Sequence, residues 1–406
     1  MEEIDIPQYF LCPISLQIMR DPVTTITGIT YDRESIEQWL RTAEEATCPV
    51  TKQPLPIDSD LTPNHMLRRL IQAWCTAHAK YGIDRIPTPK SPLSKSHVFK
   101  LIRNLKIPEI RNESLKKMME LANENEKNRK CMAEAGAAKS MIFFIIKCFK
   151  EEKIDCLFEA LAILNFTWNP SIENKQIVKE NYNDVIESLR WILRLEMDNY
   201  TVVKTHAAKI LKFVIEVISS SLVEQLETSF FADMVQIIRS NFLHQSVKAV
   251  LNVMITSCPW GRNRLKIIES NAIFELIERE LGNCDKKISE LILCLLAQLC
   301  SFADGRAEVL KHAGAIAMIS KRILRISPAA DDQAVHIFAL IARFSATQEV
   351  LIEMLRVGAV SKLCMVLQAD CESYLKKKAR EILRLHSNVW SNSPCIQVYL
   401  LTRHNR

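Results

Sequence analysis

Four short helix–turn–helix passages recur along the last three hundred residues: KCMAEAGAAKSMIFFI (130–145), LKIIESNAIFELI (265–277), EVLKHAGAIAMIS (308–320) and LIEMLRVGAVSKLC (351–364). Their turn residues are Gly136, Asn271, Gly314 and Gly358, separated by 135, 43 and 44 residues. Gly and Asn tolerate the left-handed conformation that commonly ends a helix. Since 135 is three times 45, two more degenerate units are expected in the first gap. After the turns come longer apolar helices, at 156–168, 204–218, 246–255, 288–300, 332–344 and 376–390. Three-helix units with a period of about 40–47 residues are the signature of an armadillo-type solenoid. Composition agrees: with only 8 Gly and 15 Pro in 406 residues, helix is favoured over sheet.

The chain divides before this array. YGIDRIPTPKSPLSKSH (81–97) holds Pro87, Pro89 and Pro92 in a polar stretch, which forbids a continuous helix and favours an extended spacer. Domains are therefore expected at 1–80 and 98–406, joined by 81–97. Residues 1–80 carry 7 Lys+Arg against 11 Asp+Glu, a net of −4; the remainder carries 46 against 36, a net of +10. The basic excess is spread along helices with no interleaved aromatics, so a nucleic-acid partner is not expected. Apolar runs such as MIFFII (141–146) fall well short of the roughly 20 residues of a membrane span. MEEIDIPQYF is acidic and has no basic n-region, so no secretory signal is expected and the protein should be soluble and intracellular: cytoplasmic, with nuclear or partner-mediated membrane association left open. The 13 cysteines form no C-x-x-C pair and the nine histidines no H-x-x-x-H, so they read as core residues in a reducing compartment.

The first eighty residues read as a small α+β unit. DPVTTITGITYDRESIEQWL (21–40) is a hairpin around Gly28, then a helix with Asp32 as N-cap. TPNHMLRRLIQAW (62–74) is a second helix capped by Thr62, with Pro63 at its first position and Leu67, Leu70, Ile71 and Trp74 as its buried stripe.

FLCPISLQIMRDPV, GITYDRESIEQWL, CPVTKQPL and LTPNHMLRRLIQAWC, in that order, closely resemble the U-box, the zinc-free relative of the RING domain in ubiquitin ligases. With the helical array behind it, the chain resembles plant U-box proteins with armadillo repeats; CPWGRNR (258–264) and GRAEVL (305–310) are similar to an immunity-associated branch. The fold expected is mostly α: a RING-like, zinc-free U-box followed by an armadillo α-solenoid.

A RING pins its loops with zinc. Here Cys12–Ser15 and Cys48–Thr51 each keep one thiol, and hydroxyls are poor zinc ligands, so neither metal nor cofactor is expected. Ser15, Asp21, Tyr31, Asp32, Thr51 and Asn64 are expected to tie the loops by hydrogen bonds instead. Cys12 and Cys48 should then be replaceable by Ser with little loss beyond packing, and no His or Asp is placed to activate Cys48 as a nucleophile.

The resemblance implies an E3 ubiquitin ligase without a covalent nucleophile. Ile14 and Leu16 in the first loop, Trp39 on the helix and Pro49 in the second loop would contact a ubiquitin-charged E2 enzyme. Spacing alone also permits Ile14 and Trp39 to be core. Lys52 stands where relatives carry a basic linchpin, commonly Arg, and lacks the planar fork for bidentate contact. The solenoid would select a protein substrate in plant immune or stress signalling, and either homo- or hetero-oligomers are compatible with it. Two other readings are a non-catalytic armadillo scaffold and an import-type receptor; for the latter only Asn165 and Asn252 occupy suitable positions.

Overall fold

The computed structural model describes residues 6–42, 47–56, 60–78, 93–195, 201–240, 244–282, 284–391, 393–394 and 396–397. Contacts divide the chain into two compact units, Met1–Pro92 and Leu93–Arg406.

In the first unit β1 (Pro22–Thr24) pairs antiparallel with β2 (Thr30–Asp32), Val23 opposite Tyr31. Gly28, at φ +80°, makes the turn a side chain would strain. Helix α1 (Arg33–Thr42) follows at once. Residues 62–63 depart from expectation: they form β3 (Thr62–Pro63), paired with Val23 and Thr24 on the other side of β1. Thr62 precedes a proline, which disfavours helical dihedrals, and a proline without N–H is tolerated on an edge strand. Helix α2 (His65–Ala77) starts two residues later, with the Asn64 side chain accepting from Leu67 N–H. Leu70 is 53% exposed rather than buried. It lies about a quarter-turn from the line of Leu67, Ile71, Trp74 and Cys75 that meets the core. That core holds Phe10, Cys12, Val23, Tyr31, Ile36 and Cys48.

The second unit is a stack of three-helix repeats. The spacer expected over 81–97 lies outside the described residues up to 92, and its end is already helical: Ser94 caps Lys95–Asn104. After Pro108–Glu124 come six complete repeats among the described residues. Their third helices are Leu157–Thr167, Thr201–Val217, His244–Ser257, Lys286–Cys300, Pro328–Phe344 and Ser373–Leu385. The two repeats expected in the long gap are those built on Tyr182–Arg194 and Thr228–Arg239. The helix expected over 376–390 ends at Leu385, and Ser387–Trp390 forms a separate turn.

Three of the four turn residues are left-handed: Gly136 (φ +78°), Asn271 (+63°) and Gly358 (+78°). Gly314 is not, at φ −91°. There His312 leaves the helix instead and its Nδ1 accepts the Gly314 N–H at 3.1 Å, so the chain turns one step earlier.

Two motifs in the array have packing roles. Gly305 packs so closely on the end of Lys286–Cys300 that a Cβ would collide with the Leu299 carbonyl. The adjoining Arg306 then donates to the carbonyls of Cys300 and Ser301. In CPWGRNR the buried Asn263 does the same one repeat earlier, donating to Ser257 O and Val223 O. Both side chains thus donate to carbonyls at helix ends, where the α-helical i+4 partner is missing.

Candidate functional site

The two loops that resemble a broken metal site share one backbone design. Cys12-Pro-Ile-Ser-Leu-Gln17 and Cys48-Pro-Val-Thr-Lys-Gln53 have matching residue types at five of six places. In each, the Cys N–H donates to the Gln carbonyl at 2.8 Å. The fifth residue donates back to the Cys carbonyl, Leu16 to Cys12 at 2.8 Å and Lys52 to Cys48 at 2.9 Å. That fifth residue is left-handed in both, Leu16 at φ +55° and Lys52 at φ +60°. The conformation is costly for a side-chain-bearing residue, and here it closes the loop.

β2 holds both loops through two adjacent residues. Successive residues of a strand face opposite ways. Tyr31 points into the core, where its hydroxyl lies 3.0 Å from Cys48 Sγ. At Asp32 the N–H donates to Cys12 Sγ at 3.3 Å, while Oδ1 accepts the N–H groups of Arg20 and Asp21, both at 2.8 Å. Asp32 thus stands before α1 as expected, but its Oδ1 turns across to the first loop's exit.

The remaining expected network residues divide by reach. Asp21 accepts from Arg33 Nε at 2.7 Å and has Arg68 Nη1 at 3.4 Å, tying α1 to α2. Asn64 joins α2 to β1, its N–H donating to Pro22 O at 2.8 Å. Ser15 and Thr51 act inside their own loops. Ser15 faces Cys12 Sγ, and Thr51 N–H donates to Cys48 Sγ at 3.5 Å. Thr27, which sequence reading passed over, adds a hydroxyl to Cys48 Sγ at 3.3 Å.

Both thiols are therefore buried acceptors, a role that the expectation of free exchange with Ser did not include. Burial raises a thiol pKa, but hydrogen bonds from Thr27, Thr51 and Tyr31 outweigh it and bring Cys48 down to about 6. At Cys12 burial is likewise outweighed, by the N–H groups of Ser15, Asp32 and Ile14 and the Ser15 hydroxyl, and the pKa is lowered. Tyr31 moves the opposite way: burial and then Cys48 raise it, so it stays a neutral donor. Serine is smaller than cysteine and does not ionise in this range. Cys48 has no exposed surface. Among the described residues no group of three or more His, Cys, Asp or Glu is placed to hold a metal ion.

Outside this scaffold the loops present apolar surface. Leu16 is 74% exposed, and Val50 51%. Ile14, Trp39 and Pro49 are half-buried; Ile14 and Trp39 pack partly against the core and keep part of their surface exposed. Trp39 Nε1 donates to Thr47 O at 3.0 Å, fixing the indole beside the second loop. Val50 escaped the sequence reading, although it stands in its loop where Ile14 stands in the first. On the solenoid, the amide N–H groups of Asn165 and Asn252 are engaged by the carbonyls of Leu161 and Lys248, one turn back on their own helices.

Comparison with known proteins agrees with this geometry. The U-box domain family matches residues 6–80, and the plant U-box protein ARM repeat region matches residues 97–406. E3 ubiquitin-protein ligase PUB24 of Arabidopsis thaliana is 42% identical over 450 residues, covering 99% of this chain and 96% of its own. E3 ubiquitin-protein ligase PUB23 of the same plant is 41% identical over 400 residues, covering 97% and 96%. Among solved structures, an engineered protein from the Northeast Structural Genomics Consortium shares the fold at a TM-score of 0.52 and 13% identity, over 90% of this chain and 86% of that one. The chain belongs to the plant U-box E3 ubiquitin-protein ligases with C-terminal armadillo repeats, a family of ubiquitin transferases.

Proposed function

We propose that the U-box recruits a ubiquitin-charged E2 through Ile14, Leu16, Trp39, Pro49 and Val50, with Lys52 beside them as the linchpin cation, and that ubiquitin passes directly from the E2 cysteine to a substrate lysine. The observation that carries this reading is the pair of matching loops, anchored one residue apart on β2, which turn Leu16 and Val50 outwards next to a fixed indole. Exposed apolar groups around an aromatic anchor are what a protein interface needs. The ligase supplies no nucleophile. It holds two reactants together, so that a bimolecular step becomes effectively unimolecular.

The armadillo array selects the substrate across the surface of its third helices. The hydrogen-bonded loops hold their shape without metal, so chelators leave activity unchanged. The setting we favour is cytoplasmic, in plant immune or stress signalling, and the support for this is the likeness of CPWGRNR and GRAEVL to one branch of the family. E2-dependent self-ubiquitination tests the central part. Ile14→Ala or Trp39→Ala should abolish it while leaving the helical circular dichroism intact. Undiminished activity in both variants would mean that the docking surface lies elsewhere, and no activity with any E2 would favour the scaffold reading.

A further inference from the structure

Every polar group bonded to the Cys48 sulfur can donate. The Thr27 hydroxyl lies 3.3 Å away, the Tyr31 hydroxyl 3.0 Å and the Thr51 N–H 3.5 Å, with the Thr51 hydroxyl turned to it as well. Of these the Tyr31 hydroxyl is the closest, and it can donate to the sulfur. A neutral thiol is a weak acceptor with one proton to place, whereas a thiolate is acceptor only and satisfies all these donors. The sulfur is fully buried, so water does not compete for them. Carbonyl oxygens would surround a thiol required to stay neutral. Here the Cys48 N–H and C=O are both spent on closing the loop with Gln53 and Lys52.

We propose that Cys48 is a buried thiolate in the working protein and that this anion is the positioning residue for the second loop, fixing Pro49, Val50 and Lys52 for the E2. The positioning half rests on the docking reading above; the thiolate half does not. The sulfur takes the structural place of a charged centre: the hairpin turn at Thr27, strand β2 at Tyr31 and the second loop at Thr51 converge on it. The ionisable groups around it are few. Tyr31 on β2 stays neutral, Cys12 in the first loop acts on Tyr31, and Lys52 in the same loop is exposed. Among the described residues no Asp, Glu or His side chain bonds to the sulfur.

Two measurements on the full chain test the two halves. The first is ultraviolet thiolate absorbance against pH, taken as the difference between wild type and Cys48→Ser so that the other cysteines cancel. The difference band should titrate near the value of about 6 that the hydrogen bonds give Cys48, and Tyr31→Phe should move its midpoint up by about one pH unit. A band that appears only near about 8.5, the ordinary thiol value, overturns the thiolate. The second is ubiquitin discharge from a charged E2. Cys48→Ser should raise the KM for that E2 several-fold with kcat little changed, and should flatten the pH profile between about 6 and 8 relative to wild type. An unchanged KM and profile, with the thiolate band present, overturns the positioning role. Transfer that survives Trp39→Ala removes the docking reading and leaves the thiolate standing. If Cys48→Ser does not fold, Tyr31→Phe and Thr27→Val carry both measurements, each expected to shift the midpoint upwards and raise KM.

Discussion

At the scale of single residues, the first unit is organised by acceptors. Asp32 Oδ1 receives two backbone N–H groups that would otherwise be idle in the loop after Met19. Hydrogen bonds to a charged group contribute about 1.5–3 kcal/mol each. Asp32→Ala should therefore destabilise the U-box by about 3 kcal/mol, and Asp32→Asn, which keeps an acceptor oxygen, by less. Hydrogen exchange at the Arg20 and Asp21 amides measures this locally in the full chain. The sulfurs set a pH dependence whose sign follows from the depressed pKa. Cys48 falls from the ordinary thiol value of about 8.5 to about 6, so its contribution to stability is fully present above the ordinary value and is lost as pH drops through 6. Amide protection in loop 48–53 should decline over that window in wild type and vary less in Cys48→Ser. The roles of Asp21, Tyr31, Asp32 and Asn64 as polar ties were legible in the sequence, since a missing ligand position must be filled by something that bonds. The sulfurs' part was not. Cysteine reads as a small apolar residue until the donors around it have positions.

At the scale of elements, sequence periodicity located the helices well and their ends less well. A cap is decided by which side chain reaches an N–H first, and Asn64 reaches Leu67 where Thr62 was expected to start the helix. The two loops show the opposite case. Their internal likeness was written plainly in CPISLQ and CPVTKQ, and aligning them would have disclosed Val50 as the counterpart of Ile14. Glycines in the array separate by cause. Gly358 is left-handed with open space around a Cβ, so Gly358→Ala should cost about 1–2 kcal/mol through dihedral strain alone. Gly305 sits in ordinary helical space but against the Leu299 carbonyl, so Gly305→Ala must push two helices apart and should cost about 3 kcal/mol. Thermal unfolding of the two variants, compared with wild type, orders the two effects.

At the scale of the whole molecule, each unit carries its own core, and the solenoid's core runs through stacked neighbours. Stability in such arrays is close to a sum of repeat and nearest-neighbour terms, so damage stays near its origin. Trp390 is fully buried at the end of the stack, its Nε1 donating to Leu351 O at 3.1 Å. Trp390→Ala should remove about 3–5 kcal/mol from the last repeats and loosen the first ones little, which hydrogen exchange resolves along the chain. The solenoid was legible in sequence because its period repeats, whereas the choice of substrate is not periodic and left no such trace. The central claim is that the two cysteine loops and Trp39 form the E2-docking surface of this ligase. Hydrogen exchange of the full chain with and without a charged E2 tests it most directly. Protection should be confined to residues 12–17, 48–53 and the end of α1 around Trp39, and be absent in Trp39→Ala; protection elsewhere, or none at saturating E2, would place the E2 on another surface or on none.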